Sequence, residues 1–118
     1  MSHPELIYKV VSQAAFAGAR EGGSFEGMPV DRADGYMHFS TAAQLAETLR
    51  RHFAGQADLL LLAVRRADLE AGLVWEPSRG GDLFPHLYDQ PLPLSAIAWE
   101  APLAVAADGS CQLPEAVQ

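Results

Sequence analysis

With 118 residues, 49% of them hydrophobic and 19% charged, the chain has the size and composition of one globular domain built on a single core. Its formal net charge of −7 excludes a coat for nucleic acid, because tracking phosphates by bulk electrostatics needs a basic surplus. The one cysteine, Cys111, can close no internal disulfide and no zinc cluster, and neither a basic leader nor an apolar span of roughly 20 residues is readable. A cytoplasmic protein without membrane contact is expected.

The elements follow in chain order. "ELIYKVV" (5–11) is rich in β-formers and reads as an opening strand. "SQAAFAGAR" (12–20) reads as a short helix capped by Ser12 and stopped by "EGG". Residues 21–35 carry many breakers and no period, so a long loop is expected, free to close over a ligand. "YMHFS" (36–40) alternates, with Tyr36, His38 and Ser40 on one face and Met37 and Phe39 on the other. In "TAAQLAETLRRHFAG", Thr41 and Gln44 form a capping box, and Ala42, Leu45, Ala46, Leu49 and Phe53 form an apolar stripe that stops at Gly55. "DLLLLAV" (58–64) reads as a central strand buried on both faces. "LVWE" starts another strand, a polar crossing follows, and "SAIAWEAPLAV" (95–105) closes the sheet. The core spans about 5–105, with a frayed tail at 106–118. This order predicts a single α+β domain with a curved, mixed sheet and two main helices.

Three constellations carry chemistry. His38 and Ser40 put an imidazole and a hydroxyl on one strand face; the structural alternative is a half-buried histidine beside a helix-capping serine. Lys9, the only lysine, lies mid-strand beside Tyr8, where its ammonium suits an anionic ligand or else snorkels over apolar neighbours. In "WEPSRGGDLFPHLY" (75–88), Arg79 with Gly80 and Gly81 offers a guanidinium fork and exposed backbone N–H groups for phosphate. The structural alternative there is a turn held by a Glu76–Arg79 pair and stiffened by Pro85, with His86 and Tyr88 bonded to the loop; as a site wall, the stretch is expected to have Trp75 and Phe84 as buried anchors. The dispersed histidines match no metal signature, so no metal is expected, and the chain is expected to be a monomer or weak dimer.

These segments resemble a known family. "YK", "DGYMHFSTAAQLAETLRRHFAG", "DLLLLAV" and "LVWEPSRGGDLFPHLY" are similar to the small bacterial proteins called domain of unknown function 952, over about residues 6–104. More distantly, the "MHFSTAAQ" segment and the strands after it resemble the catalytic lobe of RNA 2′-phosphotransferases, of the ADP-ribosyltransferase fold. Those enzymes have His-Gly-Thr on the first strand where this chain has Lys9-Val10-Val11, and an N-terminal lobe with an Arg-His pair that has no counterpart here. The resemblance implies an ADP-ribosyltransferase-like fold and a nucleotide ligand, NAD, split at its nicotinamide–ribose bond. It assigns catalytic roles to His38, Glu76 and His86, with Glu76 facing the developing positive charge. Ligand contacts fall to Tyr8, Lys9, Tyr36, Ser40, Arg79, Gly80, Gly81 and Tyr88. A nucleotide-binding or partner-binding module without catalysis would use the same groups.

Overall fold

The two most apolar runs of the chain pair with each other. In the structure, a computed structural model that describes residues 4–78 and 81–117, β1 (Leu6–Ser12) and β4 (Leu59–Arg65) run antiparallel, with Leu6 opposite Arg65 and Ser12 opposite Leu59. The strand β8 (Ile97–Leu103) adds to the far side of β4, which is thereby central and buried from Leu59 to Val64. A second antiparallel sheet has the order β3 (Met37–His38), β6 (Leu83–Leu87), β5 (Leu73–Pro77). One bridge joins the sheets: Tyr8 and Ser40 exchange both backbone hydrogen bonds at 2.8 Å. A small pair, β2 (Ser24–Phe25) with β7 (Leu92–Pro93), packs alongside. Every pairing is antiparallel, so the expected mixed sheet is corrected to two bridged antiparallel ones in an α+β domain.

Strand alternation sorts the side chains onto two faces. Ile7, Val11, Leu60, Leu62, Val64, Met37, Phe39 and Leu87 form one core with Phe16 and Ala19 of α1 (Gln13–Gly22). Tyr8, Val10, Leu59, Leu61, Ala63 and Leu103 form the other, covered by Leu45 and Leu49 of α3 (Ala42–His52). The helix ends are those the sequence signals. The Ser12 side chain accepts from Ala15 N, Gly23 closes α1 in the left-handed region, and Thr41 and Gln44 complete a capping box. Ala46 is exposed and not part of the stripe; the α3 face that meets the sheet runs through Ala42, Leu45, Leu49 and Phe53.

Three further expectations change. The stretch 21–35 is no featureless loop: it holds β2 and a third helix, α2 (Pro29–Asp34), begun by a proline at its first position and ended by Gly35 at φ 88°. "LFPHL" is a strand, β6, so the polar crossing is a hairpin; Phe84 is buried and Trp75 half-buried. Residues of the tail expected to fray lie against the domain. Cys111, Leu113 and Val117 pack against the α3 core, and Gly55 N–H donates to Ala106 O at 2.9 Å.

Gly109 lets that tail dock. It sits at φ 89°, and a Cβ there would lie 2.6 Å from Arg50 Cγ and 3.0 Å from Arg50 Cα. Gly109→Ala is therefore expected to lose about 1–3 kcal/mol in urea unfolding, through a strained φ and a clash with helix backbone. An unchanged midpoint would mean that the tail does not sit on α3.

Candidate functional site

The two sheets part beside their single bridge, and the chemistry gathers in that gap. Phe39 N–H donates to Pro85 O (3.0 Å), so His38 and Ser40 turn their backbone groups toward β1. Ser40 finds Tyr8. At His38 the strands have separated, and side chains take over the ladder. His38 N–H donates to Asp31 Oδ1 (3.1 Å), and Lys9 Nζ donates to His38 O (2.9 Å). Lys9 Nζ also lies 2.9 Å from Asp31 Oδ2, which accepts Met28 N–H at 2.6 Å. Lys9 is 4% and Asp31 3% exposed, a buried ion pair with each charge hydrogen-bonded beyond its partner.

The two partners feel burial differently. Burial pulls the Lys9 ammonium below its ordinary value by more than Asp31 restores. Burial alone would raise the Asp31 carboxyl, but the His38 hydrogen bond, the Lys9 charge and the Met28 amide bring it down to about 2. The pair holds the backbone of His38 in position, donating to its carbonyl through Lys9 and accepting from its N–H through Asp31. Lys9 lines the neighbouring cleft with its ammonium engaged by Asp31 and by His38 O.

Asp31 also holds the His38 ring, at 2.7 Å from Nδ1, while Asp34 Oδ2 lies 2.9 Å from Nε2. Both contacts are hydrogen bonds only when both ring nitrogens carry protons, so His38 is arranged as a double donor. His86, opposite it in the β3–β6 register, is oriented by Glu76 Oε1 at 2.7 Å from Nδ1. With Nδ1 donating to that carboxylate, the neutral ring keeps Nε2 as a proton acceptor. Tyr88 OH donates to the same Glu76 oxygen at 2.6 Å. The Tyr88 and His86 hydrogen bonds hold the Glu76 carboxyl below its ordinary range, and the Tyr88 hydroxyl is pushed up to about 12 by Glu76.

Tyr36 lies across this row as a slab. Its ring centroid is 4.3 Å from that of His86, 4.8 Å from His38 and 5.0 Å from Tyr88. Beside the slab, between β1, β3, β6 and α3, opens a cleft of about 340 Å³, within the size range of small-molecule sites. Tyr36, His38, Ser40, Phe84 and His86 line it from the sheets, Thr48, His52 and Phe53 from α3, and Val30 and Asp34 from α2. Among the described residues no group of three or more His, Cys, Asp or Glu is arranged for a metal ion, and no helix is long and apolar enough to cross a membrane.

The structure thus brings His38, His86, Tyr36 and Ser40 to one cleft, with the Ser40 hydroxyl 2.9 Å from that of Thr48. Glu76 and Tyr88 line an adjacent open cleft with Asp89 and Gln90, behind the His86 ring. Tyr8 touches the main cleft but is 1% exposed, its ring 6.0 Å from Trp99 in the core, so it offers a ligand no free ring face. Gly81 has φ 89° and closes a turn onto Ser78 O at 2.7 Å; Arg79 and Gly80 lie outside the described residues. Glu76 is engaged by His86 and Tyr88, and the alternative Glu76–Arg79 pair falls outside the described residues. Asp31, Asp34, Thr48 and His52 escaped sequence reasoning. A signal for the first two existed: a lone lysine in a core strand requires a buried carboxylate, and "PVDRADG" is a one-turn helix bounded by its own start and stop residues.

Asp31→Asn leaves Lys9 buried and uncompensated, and a loss of about 3–5 kcal/mol in urea unfolding near neutral pH is expected. A carboxyl lowered on folding contributes stability above its unfolded pKa, and that contribution fades as pH falls through the folded value. The parent is therefore expected to lose about 2 kcal/mol between roughly pH 4 and pH 2 through this group, a slope that Asp31→Asn flattens. Equal acid slopes in parent and variant would refute the pairing.

Comparison with solved structures places the fold among known ones. The chain is similar to the crystal structure of protein CC0527 from Caulobacter crescentus, with 50% identity and a TM-score of 0.85, over 92% of this chain and 94% of that one. The solution NMR structure of CC0527 matches at 49% identity and a TM-score of 0.80, over 93% and 94%. No curated protein matches significantly. The family described as protein of unknown function (DUF952) matches residues 10–100, a span from β1 to β8 that includes the whole His38–His86 stack, and the chain belongs to that family.

Proposed function

We propose that the cleft is a nucleotide site and the protein an ADP-ribosyltransferase-like domain that takes NAD as its ligand. The observation that carries the reading is the Tyr36 slab over two carboxylate-oriented histidines at the wall of a 340 Å³ cleft. A flat ring fits on such a slab, and Ser40 and the His38–Asp34 pair offer donors and acceptors for sugar hydroxyls. The cleft holds one end of a dinucleotide. The remainder would extend over the Ser78–Gly81 turn, where Arg79 belongs by sequence.

When bound, NAD supplies a glycosidic bond whose cleavage develops positive charge on the ribose. Nicotinamide leaves with the bonding pair, and water or another hydroxyl adds to the ribosyl carbon and loses its proton. On this chain Glu76 is the carboxylate kept ionised beside the stack, His86 Nε2 is the group able to take that proton, and Asp34, held by His38, accepts from the sugar hydroxyls.

A second reading, binding without cleavage, is favoured by one observation: Glu76 stands behind His86 and outside the lining of the main cleft. Calorimetric titration with NAD and an assay for released nicotinamide separate the two. Binding is expected, weakened about tenfold by Tyr36→Ala through loss of stacking. Nicotinamide release that stops in Glu76→Gln supports the enzyme, and binding without release supports the module. If NAD and ADP-ribose both fail to bind, the nucleotide reading is wrong.

A further inference from the structure

We propose that α2 is a pH-gated wall of the cleft, latched to β3 through the protonated His38 ring and released at its C-terminal end when that ring loses a proton. The proposal goes beyond the nucleotide reading and holds for any ligand the cleft takes.

The helix is held by charge and not by packing. Of its six residues only Asp31 is buried, while Val30 and Asp34 are exposed and line the cleft. Glycines in the left-handed region flank it, Gly27 at φ 110° and Gly35 at φ 88°. Two carboxylates tie it to the sheets. Asp31, near its middle, is fixed by Lys9 and by the His38 N–H. Asp34, its last residue, is tied among the described residues through one contact, to His38 Nε2 at 2.9 Å.

A single proton decides that second tie. With both ring nitrogens protonated, His38 donates to Asp31 from Nδ1 at 2.7 Å and to Asp34 from Nε2. A neutral ring has one N–H to give. Given to Asp34, it would turn a bare Nδ1 onto a carboxylate sealed from water. Given to Asp31, it leaves a bare Nε2 against Asp34, whose side chain is 45% exposed and can turn to solvent. The second arrangement costs less, so Asp34 lets go. The other groups around the ring do not alter that choice. Lys9 is engaged by Asp31 and by the His38 carbonyl. Tyr36 and His86 meet the imidazole ring to ring, at 4.8 and 5.5 Å between centroids, and Glu76 lies behind His86. His52 lines the same cleft from α3. Released, the end of α2 withdraws a carboxylate from the rim and uncovers His38 Nε2 as a proton acceptor beside that of His86.

The test follows the full chain by NMR from roughly pH 5.5 to 8.5, the span in which a histidine ordinarily changes charge. The Gly35 and Tyr36 amides, which donate to Asp31 O at 2.9 and 3.2 Å, report the end of the helix. In the parent their hydrogen exchange, corrected for its intrinsic pH dependence, is expected to speed at least tenfold across this range, in step with the His38 ring resonances. Asp34→Asn discriminates, because an amide can accept from a protonated Nε2 and donate to a bare one. In that variant the change should stay within about threefold, whereas Asp34→Ala should exchange fast at every pH. Both substitutions fall at an exposed position, so folding is retained. Amides that stay protected while His38 titrates, or a His38 ring that does not titrate in this range, would overturn the proposal. A change that persists in Asp34→Asn, protection kept in Asp34→Ala, or a change that follows the His86 ring instead would overturn it equally.

Discussion

Everything at the site depends on how the chain satisfies one residue's backbone. His38 sits where β1 and β3 stop being neighbours, and its N–H and C=O face a gap instead of a strand. Leaving two such groups unpaired in a buried place would cost several kcal/mol. The Lys9–Asp31 pair supplies the missing acceptor and donor, and Asp31 orients the imidazole through the same oxygen. A hydrophobic pair of similar volume would fill the space with less desolvation, but it could hold neither the His38 backbone nor its ring. The ion pair thus turns a defect in the ladder into a histidine fixed in backbone and ring.

Why the strands part at this point follows from chain chemistry on both sides. Pro85 accepts from Phe39 but has no N–H to return, so β6 grips β3 only briefly. On the other side α3 covers the β1–β4–β8 half of the sheet through Leu45 and Leu49 and touches the end of β6, where Gln44 Nε2 donates to Leu83 O at 2.7 Å. On the face of β3 and β6, Tyr36, His38, His86 and Tyr88 cover one another, with α2 at their edge through Asp34. The cleft opens between α3 and this cluster.

The legibility of this arrangement in the sequence varied with the range of the forces involved. Caps and stops are local, and Ser12, Thr41, Gln44 and Gly23 could be read from their neighbours in the chain. The alternation of Tyr36, His38 and Ser40 against Met37 and Phe39 was equally plain, because period two survives even in a two-residue strand. Residues 24–34 read as loop because six residues of helix have almost no period to show, and Asp31 is buried only by virtue of Lys9, 22 positions earlier. "LFPHL" hid for another reason: a proline argues against a strand interior, and only the third strand explains its tolerance. Glu76 was legible as a reactive carboxylate with His86 and Tyr88 near its turn, but that both bond one of its oxygens from ten and twelve residues away across a hairpin was not.

The register of the first strand bears on biosynthesis. β1 lies in the middle of the bridged sheets, yet its partner β4 begins at Leu59 and its bridge to Ser40 closes only after α2 is made. A chain emerging from the ribosome therefore carries "LIYKVVS" unpaired while some 50 residues are added. Such a segment, apolar and β-prone, invites pairing with other nascent chains. Lys9 interrupts it with a charge at its centre, where a fully apolar residue would make it stickier. The same ammonium that ends buried against Asp31 is, until Asp31 arrives, a solvated gatekeeper, guarding the strand against aggregation before it ever supports a site.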